Sequence, residues 1–460
     1  MSSRTSITQK EQAEVYDMES QSPISKSHGG VTQPMTVQDG DVSQKNSIRN
    51  LKWYQRLLDA GVEGNGIQPV PLEGRTNTSY SNLFTVFFTS LLCLLPYYLV
   101  AIPLLLNAAT VTGFSLSSSI VGGQTLAAVN PGYIDVKVGI IITCLVSFAA
   151  SFIGYRALHM WERWQWLPNL IAIVIAIGCG GKHLWKQQTD VPPPTASQIL
   201  NYGGLMAGYF ITFGGIASDF TAYHNPNKTT KIFSYIYFGI LTPSVPLLIL
   251  GAAIGGALNN VPEWKSGWEV YGIGGVMAAM LAPAGGFGKF VLVILALSVI
   301  GNIATSMYSV ALCMQMMLPV FTRVPRVVFI VVALGIMIPM AIRAAEAWEN
   351  SLGNFLGLIG YWAGCFDAVI IEELVVFRRM DYGSYNHAAW NVARMLPSGL
   401  AAIGASLLSF GLIIPGMDQA WFTGPFAKST GDIGFELAFV LTAIFYAPLR
   451  WLEIKKQGRV

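Results

Sequence analysis

The sequence predicts an all-α polytopic membrane protein, and three observations carry that prediction. Of its 460 residues, 53% are hydrophobic and 12% charged, whereas a soluble domain carries about 25% charged residues. Apolar runs recur at the length of about 20 residues that a helix needs to cross a bilayer. Lys and Arg also gather in every second gap between those runs: Arg156/Arg163, Lys228/Lys231, Arg323/Arg326, Arg378/Arg379/Arg394 and the tail Arg450/Lys455/Lys456/Arg459. Short Lys/Arg-rich loops stay cytoplasmic. The alternation therefore describes a chain embedded in lipid, with both termini on the cytoplasmic side.

Taken in order, residues 1–75 are Ser/Gln/Thr-rich and mixed in charge, which reads as a disordered cytoplasmic tail. No apolar stretch follows Met1, so no cleavable leader is expected. Leu51 to Leu58 could form a short interfacial helix. The transmembrane domain runs over 76–456, and 457–460 form a cytoplasmic end. Within the domain, residues 83–129 are one apolar stretch interrupted by Pro96 and Pro103. It must cross an odd number of times if the tail is inside and the segment before Ile134 is outside. Residues 98–129 supply one crossing, and 83–96 read as a re-entrant or interfacial piece. Further spans are expected near 134–156, 164–181, 202–222, 233–257, 288–318, 327–342, 352–378, 395–415 and 434–454, which makes about ten crossings. The outward gap with Lys182, His183 and Lys186 goes against the charge bias. Two sequons, at Asn77 and Asn227, fall on the cytoplasmic side and should carry no glycan.

Several function classes are excluded by what the sequence lacks. Its five cysteines sit singly in apolar runs, as small buried side chains do, and its five histidines lie in the tail or loops with no metal-ligand spacing. No nucleophile elbow, phosphate-binding loop or dinucleotide fingerprint is present, so no enzyme activity is expected. The basic residues flank membrane spans without interleaved aromatics, which argues against nucleic-acid binding.

Polar and glycine positions inside spans are the candidates for function. Gly214-Gly215 falls in the middle of a span beside Phe213, and an interrupted helix is tolerated in lipid only beside a cavity; the same glycines could instead serve close helix packing. Phe114 and Ser118 share a helix face, as an aromatic plus a hydroxyl that suits a flat hydrogen-bonding ring, or as Ser-rich helix contact. Asn302 and Ser306 likewise share a face, for a ligand or for interhelical bonding. Among carboxylates, Asp367 lies mid-span. Glu162 opens a span beside Arg163 and could face water, pair locally or accept a proton. Asp219 reads as a capping or pairing group. Glu372 and Glu373 sit near Arg378 and Arg379 and read as salt-bridged.

These segments, IVGGQTLAAV (Ile120–Val129), WERWQWLPN (Trp161–Asn169), GCGGKHL (Gly178–Leu184), ASDFTAY (Ala217–Tyr223), SVIGNIATSMYS (Ser298–Ser309), RVPR (Arg323–Arg326) and GYWAGCFDAVIIEELVVFRR (Gly360–Arg379), resemble the fungal purine–cytosine permeases of the nucleobase–cation-symport-1 family. The resemblance runs from about Asn77 to the C-terminus. It implies a leucine-transporter-like inverted-repeat helical bundle, with twelve helices in the family and broken first and sixth helices around the site. It also implies import of a purine base or cytosine with a proton as the coupling ion, no other cofactor, and a place in the plasma membrane. By the same resemblance, Phe114 stands where the family has a stacking Trp and Ser118 at a base-reading Asn. Phe213 replaces the Trp beside Gly214. Glu162 matches a family Glu, Asn302 a family Asn, and Ser306 stands at a second Asn. Glu162 and Asp367 are then the candidates for proton coupling.

Two departures qualify the expectation. Both Trp positions are Phe and two Asn positions are Ser, so the set of hydrogen-bonding groups is altered, and discrimination between substrates rests on such groups. The family also has about two spans' worth of additional chain between Pro96 and Tyr97, comprising the end of its first helix, its second and the start of its third. The alternatives are therefore a truncated permease relic that does not transport, or a transporter of another small heteroaromatic substrate.

Overall fold

The computed structural model describes residues 97–458, apart from 154, 190, 222–227, 318, 382–383 and 385–396. The expected tail, the 83–96 piece and both sequons lie outside the described residues. Thirteen of the described helices are needed to follow the architecture. They are α1 (Tyr97–Val129), α2 (Val136–Ile153), α3 (Tyr155–Gly180), α4 (Ala196–Ile211), α5 (Ala217–Thr221), α6 (Thr229–Leu258), α7 (Pro262–Leu281), α8 (Gly285–Leu297), α9 (Val299–Met317), α10 (Arg326–Ala344), α11 (Trp348–Glu372), α12 (Leu400–Gly416) and, after a short turn, α13 (Gly434–Gln457). Among the described residues, seven helical runs are long and apolar enough to cross a membrane, and two shorter apolar ones lie at Val136–Ser151 and Leu400–Gly416. The two-stranded ribbon of Asp418–Gln419 and Phe422–Thr423 is the β-structure among the described residues.

The expected spans recur with small shifts, and three differences have physical causes. Pro103 lies inside α1 and does not break it. It sits in the second turn, where neighbouring groups can take up the one freed carbonyl. Arg156 and Arg163 were expected in a gap, yet α3 starts at Tyr155, so both lie on the first turns of that helix. The region 262–281, expected as an outward gap, is helical but bent. Tyr271 and Gly272 leave helical geometry, and Gly272 has φ +54°, a conformation that glycine adopts without a Cβ clash. α7 is therefore a folded-over cover, and it packs on α1.

The core forms where α1, α2, α9 and α10 meet. Val111 and Ile120 of α1, Ile140 of α2, Ile303 and Met307 of α9, and Ile330 and Met337 of α10 are all buried there. Large apolar side chains on the outer faces stay exposed, Leu145, Val174, Ile249, Ile336 and Leu407 among them, as lipid-facing positions require. α9 lies along α1, while α12, α11 and α13 form a second group. α4 joins the groups by close approach to α11: a Cβ at Gly208 would stand 2.5 Å from the Leu356 carbonyl oxygen.

The basic ends of α11 and α13 are locked together by buried charge. Glu373 takes Arg450 Nη2 at 2.8 Å and Arg378 Nε at 3.1 Å, and it accepts from Tyr446 Oη at 2.9 Å. Arg450 Nη1 also reaches Glu453 at 3.1 Å. Glu373 is thus salt-bridged as expected, whereas Glu372, expected to pair likewise, has its Oε2 buried without a partner among the described residues, and the chain widens to π-helix over Glu373–Phe377 at that point.

Candidate functional site

The site grows from the interruption between α4 and α5. Thr212–Gly215 winds as 3-10 helix, and Ile216 joins it to α5. The run of glycines in this segment divides into two roles. Gly204 and Gly208 face neighbouring helices. Gly214 and Gly215 lie in the rewound stretch, where they admit polar side chains from two other helices. A Cβ at Gly214 would stand 2.9 Å from Asp367 Oδ1 of α11, and one at Gly215 would stand 2.5 Å from Asn107 Oδ1 of α1. Asn107 is buried, and its Nδ2 donates to the Gly215 carbonyl at 3.2 Å and to Cys313 Sγ of α9 at 3.2 Å. One amide of α1 thus holds the opened backbone against α9.

Beside this turn lies a cluster of rings. Phe114 of α1 and Phe213 stand face to face, with centroids 6.2 Å apart and planes 8° from parallel. Tyr209 presents its edge to both, at 5.7 Å and 6.1 Å, and Phe355 of α11 presents its edge to Phe114 at 5.5 Å. A flat ring between the pair needs about 3.5 Å of carbon contact on each side, or about 7 Å in all. With centroids 6.2 Å apart, the pair leaves no room for a ring between its faces in this arrangement. Thr110, one turn before Phe114, accepts from Trp362 Nε1 at 2.9 Å, which fixes α11 to the same wall.

The structure brings together Phe114, Phe213, Gly214 and Asp367. Ser118 is half-buried one turn further along α1, and its hydroxyl makes no hydrogen bond among the described residues. Ser306 is buried in α9, and its hydroxyl donates to Asn302 Oδ1 at 3.4 Å. Asn302 itself is exposed, and no ring contact or hydrogen bond joins it to the Phe114–Phe213 pair among the described residues. Glu162 lies on α3, where its side chain falls outside the described residues. Sequence reasoning missed Asn107, Tyr209 and Phe355. Asn107 could have been found as the lone amide within Leu104–Thr110, and Tyr209 as an aromatic one turn from Phe213.

Ten residues along α1 from Phe114, about 15 Å at 1.5 Å per residue, Gln124 opens onto a cavity of about 310 Å³. Trp268 and Gly272 of the bent α7, Asp135 and Trp348 also line it. Gln124 packs against Gly272, and its Oε1 is buried without a partner. A bundle of long apolar helices with a broken helix beside a ring pair, and a cavity further along α1, is the architecture of an integral membrane protein with room for a ligand among its spans.

Comparison with known proteins specifies the family. Residues 98–433 match the family described as permeases for cytosine/purines, uracil, thiamine and allantoin. The purine-cytosine permease fcyB of Emericella nidulans is 35% identical over 363 residues, covering 77% of this chain and 70% of that protein. The purine-cytosine permease FCY21 of Saccharomyces cerevisiae is 31% identical over 366 residues, covering 77% and 69%. The solved structure of Mhp1, a nucleobase-cation-symport-1 family transporter in a closed conformation with bromovinylhydantoin bound, superposes with a TM-score of 0.58 over 82% of each chain at 13% identity, a likeness of fold. The chain belongs to the cytosine/purine permease family. It is a transporter and not an enzyme, as the sequence led us to expect.

Proposed function

We propose that this permease imports a purine base or cytosine together with a proton, across the plasma membrane and with both termini cytoplasmic. Counting the interrupted rod 196–221 with the seven long and two shorter apolar helical runs makes about ten crossings, enough to return the chain to its starting side. In this reading the domain spans 76–456, behind a cytoplasmic tail. The observation that carries the substrate is the parallel pair Phe114–Phe213 beside an opened backbone. Two aromatic faces hold any flat heterocycle, and stacking contributes on the order of 1–3 kcal/mol per base. Directional recognition then falls to Ser118 and the Gly214 backbone, with Glu162, Asn302 and Ser306 completing the rim as the helices rearrange. The Asp367 carboxylate beside Gly214 accepts from a ring N–H or exocyclic amine, and a carboxylate so placed can also carry a proton. No further cofactor enters this reading.

The test is uptake of radiolabelled cytosine and adenine at two pH values, in a host lacking its own permeases. Accumulation that rises as the outside is acidified supports the proposal. Binding without accumulation points to the second reading, a non-transporting relic, which the exposed Asn302 favours. An uptake competed by neither base, but by other heteroaromatics, would move the substrate class.

A further inference from the structure

On the far side of the rewound turn from α4, a second polar cluster gathers at Asp219 that the transport reading above does not use. Asp219 is in the first turn of α5, with its amide bonded to the Ile216 carbonyl at 3.1 Å. Its Oδ2 is buried and has no hydrogen-bond partner. Ser309 of α9 brings its hydroxyl beside the carboxylate, yet Ser309 Oγ, fully buried, closes no bond of ordinary geometry. One turn along α9, Cys313 lies within electrostatic reach of Asp219 and takes the Asn107 amide at 3.2 Å. Asn107, 5% exposed, leaves its own Oδ1 unpartnered. From α1 the facing group is thus the neutral Asn107, and from α9 they are Ser309 and the Cys313 thiol. No Lys, Arg or His acts on the carboxylate among the described residues.

We infer that Asp219 is a proton-binding site of the permease, formed where the broken helix shuts against α9 and α1. An ionised carboxylate buried without a cation is costly, and protonation removes that cost. The closed arrangement therefore favours the neutral acid, in which the new O–H donates to Ser309 Oγ or to Cys313 Sγ. Parting of α5 from α9 admits water and favours the carboxylate. Each cycle forms one O–H bond with a proton from hydronium on one side and breaks it by transfer to water on the other. The cluster offers four side-chain oxygens, two of Asp219 and one each of Ser309 and Asn107, beside the Cys313 thiol, and the sodium arm of the test below separates a proton from a sodium ion. This deepens the import proposal, in which Asp367 can carry a proton, and it rests on that reading only for the direction of transport.

The test is infrared difference spectroscopy of the full chain in lipid nanodiscs, titrated with acid in the absence of any base. The expected result is a protonated-carboxyl band that is lost in Asp219→Asn, kept in Asp367→Asn and shifted in frequency in Ser309→Ala. A band unchanged in Asp219→Asn overturns the inference, as does a band that responds to sodium at fixed pH. Should Asp219→Asn fail to fold, the absence of a shift in Ser309→Ala overturns it equally. Because no substrate is present, failure of import leaves this readout intact, and the two proposals fail separately.

Discussion

Replacing Gly215 by alanine tests how the broken helix is held. The new methyl carbon would stand 2.5 Å from Asn107 Oδ1 and 3.0 Å from its Cγ. Ordinary contact begins near 3.5 Å, so the amide must retreat by about 1 Å. Its two bonds, to the Gly215 carbonyl and to Cys313 Sγ, are both 3.2 Å long, and that retreat breaks them. A buried group left unsatisfied costs about 1–3 kcal/mol. Alanine returns about 0.5–1 kcal/mol of backbone entropy, which leaves a net loss of up to about 2.5 kcal/mol. Asn107→Ala removes the same two bonds and also the obstruction. The double variant should therefore be no less stable than the worse single variant, with a coupling of about 1–2 kcal/mol, within the range for residues in contact. Thermal unfolding of the four proteins in detergent measures this, and substrate binding followed in parallel should weaken in both singles. Additive losses would refute the reasoning, because Asn107 and Gly215 would then act independently.

Other outcomes follow from the same geometry. Phe213→Ala should weaken base binding by about 1–3 kcal/mol, roughly 5- to 150-fold in Kd, while Phe213→Trp should hold or strengthen it; equilibrium binding of labelled adenine reads both. Glu373→Ala takes the carboxylate from buried Arg378 and leaves Arg450 with Glu453 alone, and should cost up to about 3–5 kcal/mol, seen as a fall in melting temperature, whereas Glu346→Ala, in an exposed pair with Arg343, should cost at most about 1 kcal/mol. Asn302→Ala should abolish uptake with the melting temperature unchanged, since the side chain is exposed; unchanged uptake removes Asn302 from the site.

Much of the site was legible before any coordinates, for a definite reason. In a bilayer, backbone groups cannot be left to solvent, so a Gly-Gly pair mid-span stands out against its apolar surroundings. That is why the rewound turn at Thr212–Gly215 and the pairing of Phe114 with Phe213 were visible as a motif and a resemblance. Asn107 was not. Its significance lies in reaching Gly215 and Cys313, which are 108 and 206 residues away along the chain, and no local pattern encodes a contact of that separation. Asp219 reads in the sequence as a capping or pairing group for the same reason: its neighbours Ser309 and Cys313 come from α9.

By itself the amino-acid order determined that this chain is a bundle of lipid-embedded helices, roughly where each begins and ends, and which family it belongs to. The spans follow from hydropathy and charge counted over short windows, and the family from the resemblance of its motifs. The packed structure alone decided which polar side chains meet. It divided the glycines of α4 into two kinds, turned Asn302 outward, folded α7 over a chamber and brought a lone carboxylate against α9. Such outcomes depend on how the helices rotate and cross, and those angles are set by the sum of many weak contacts between distant parts of the chain.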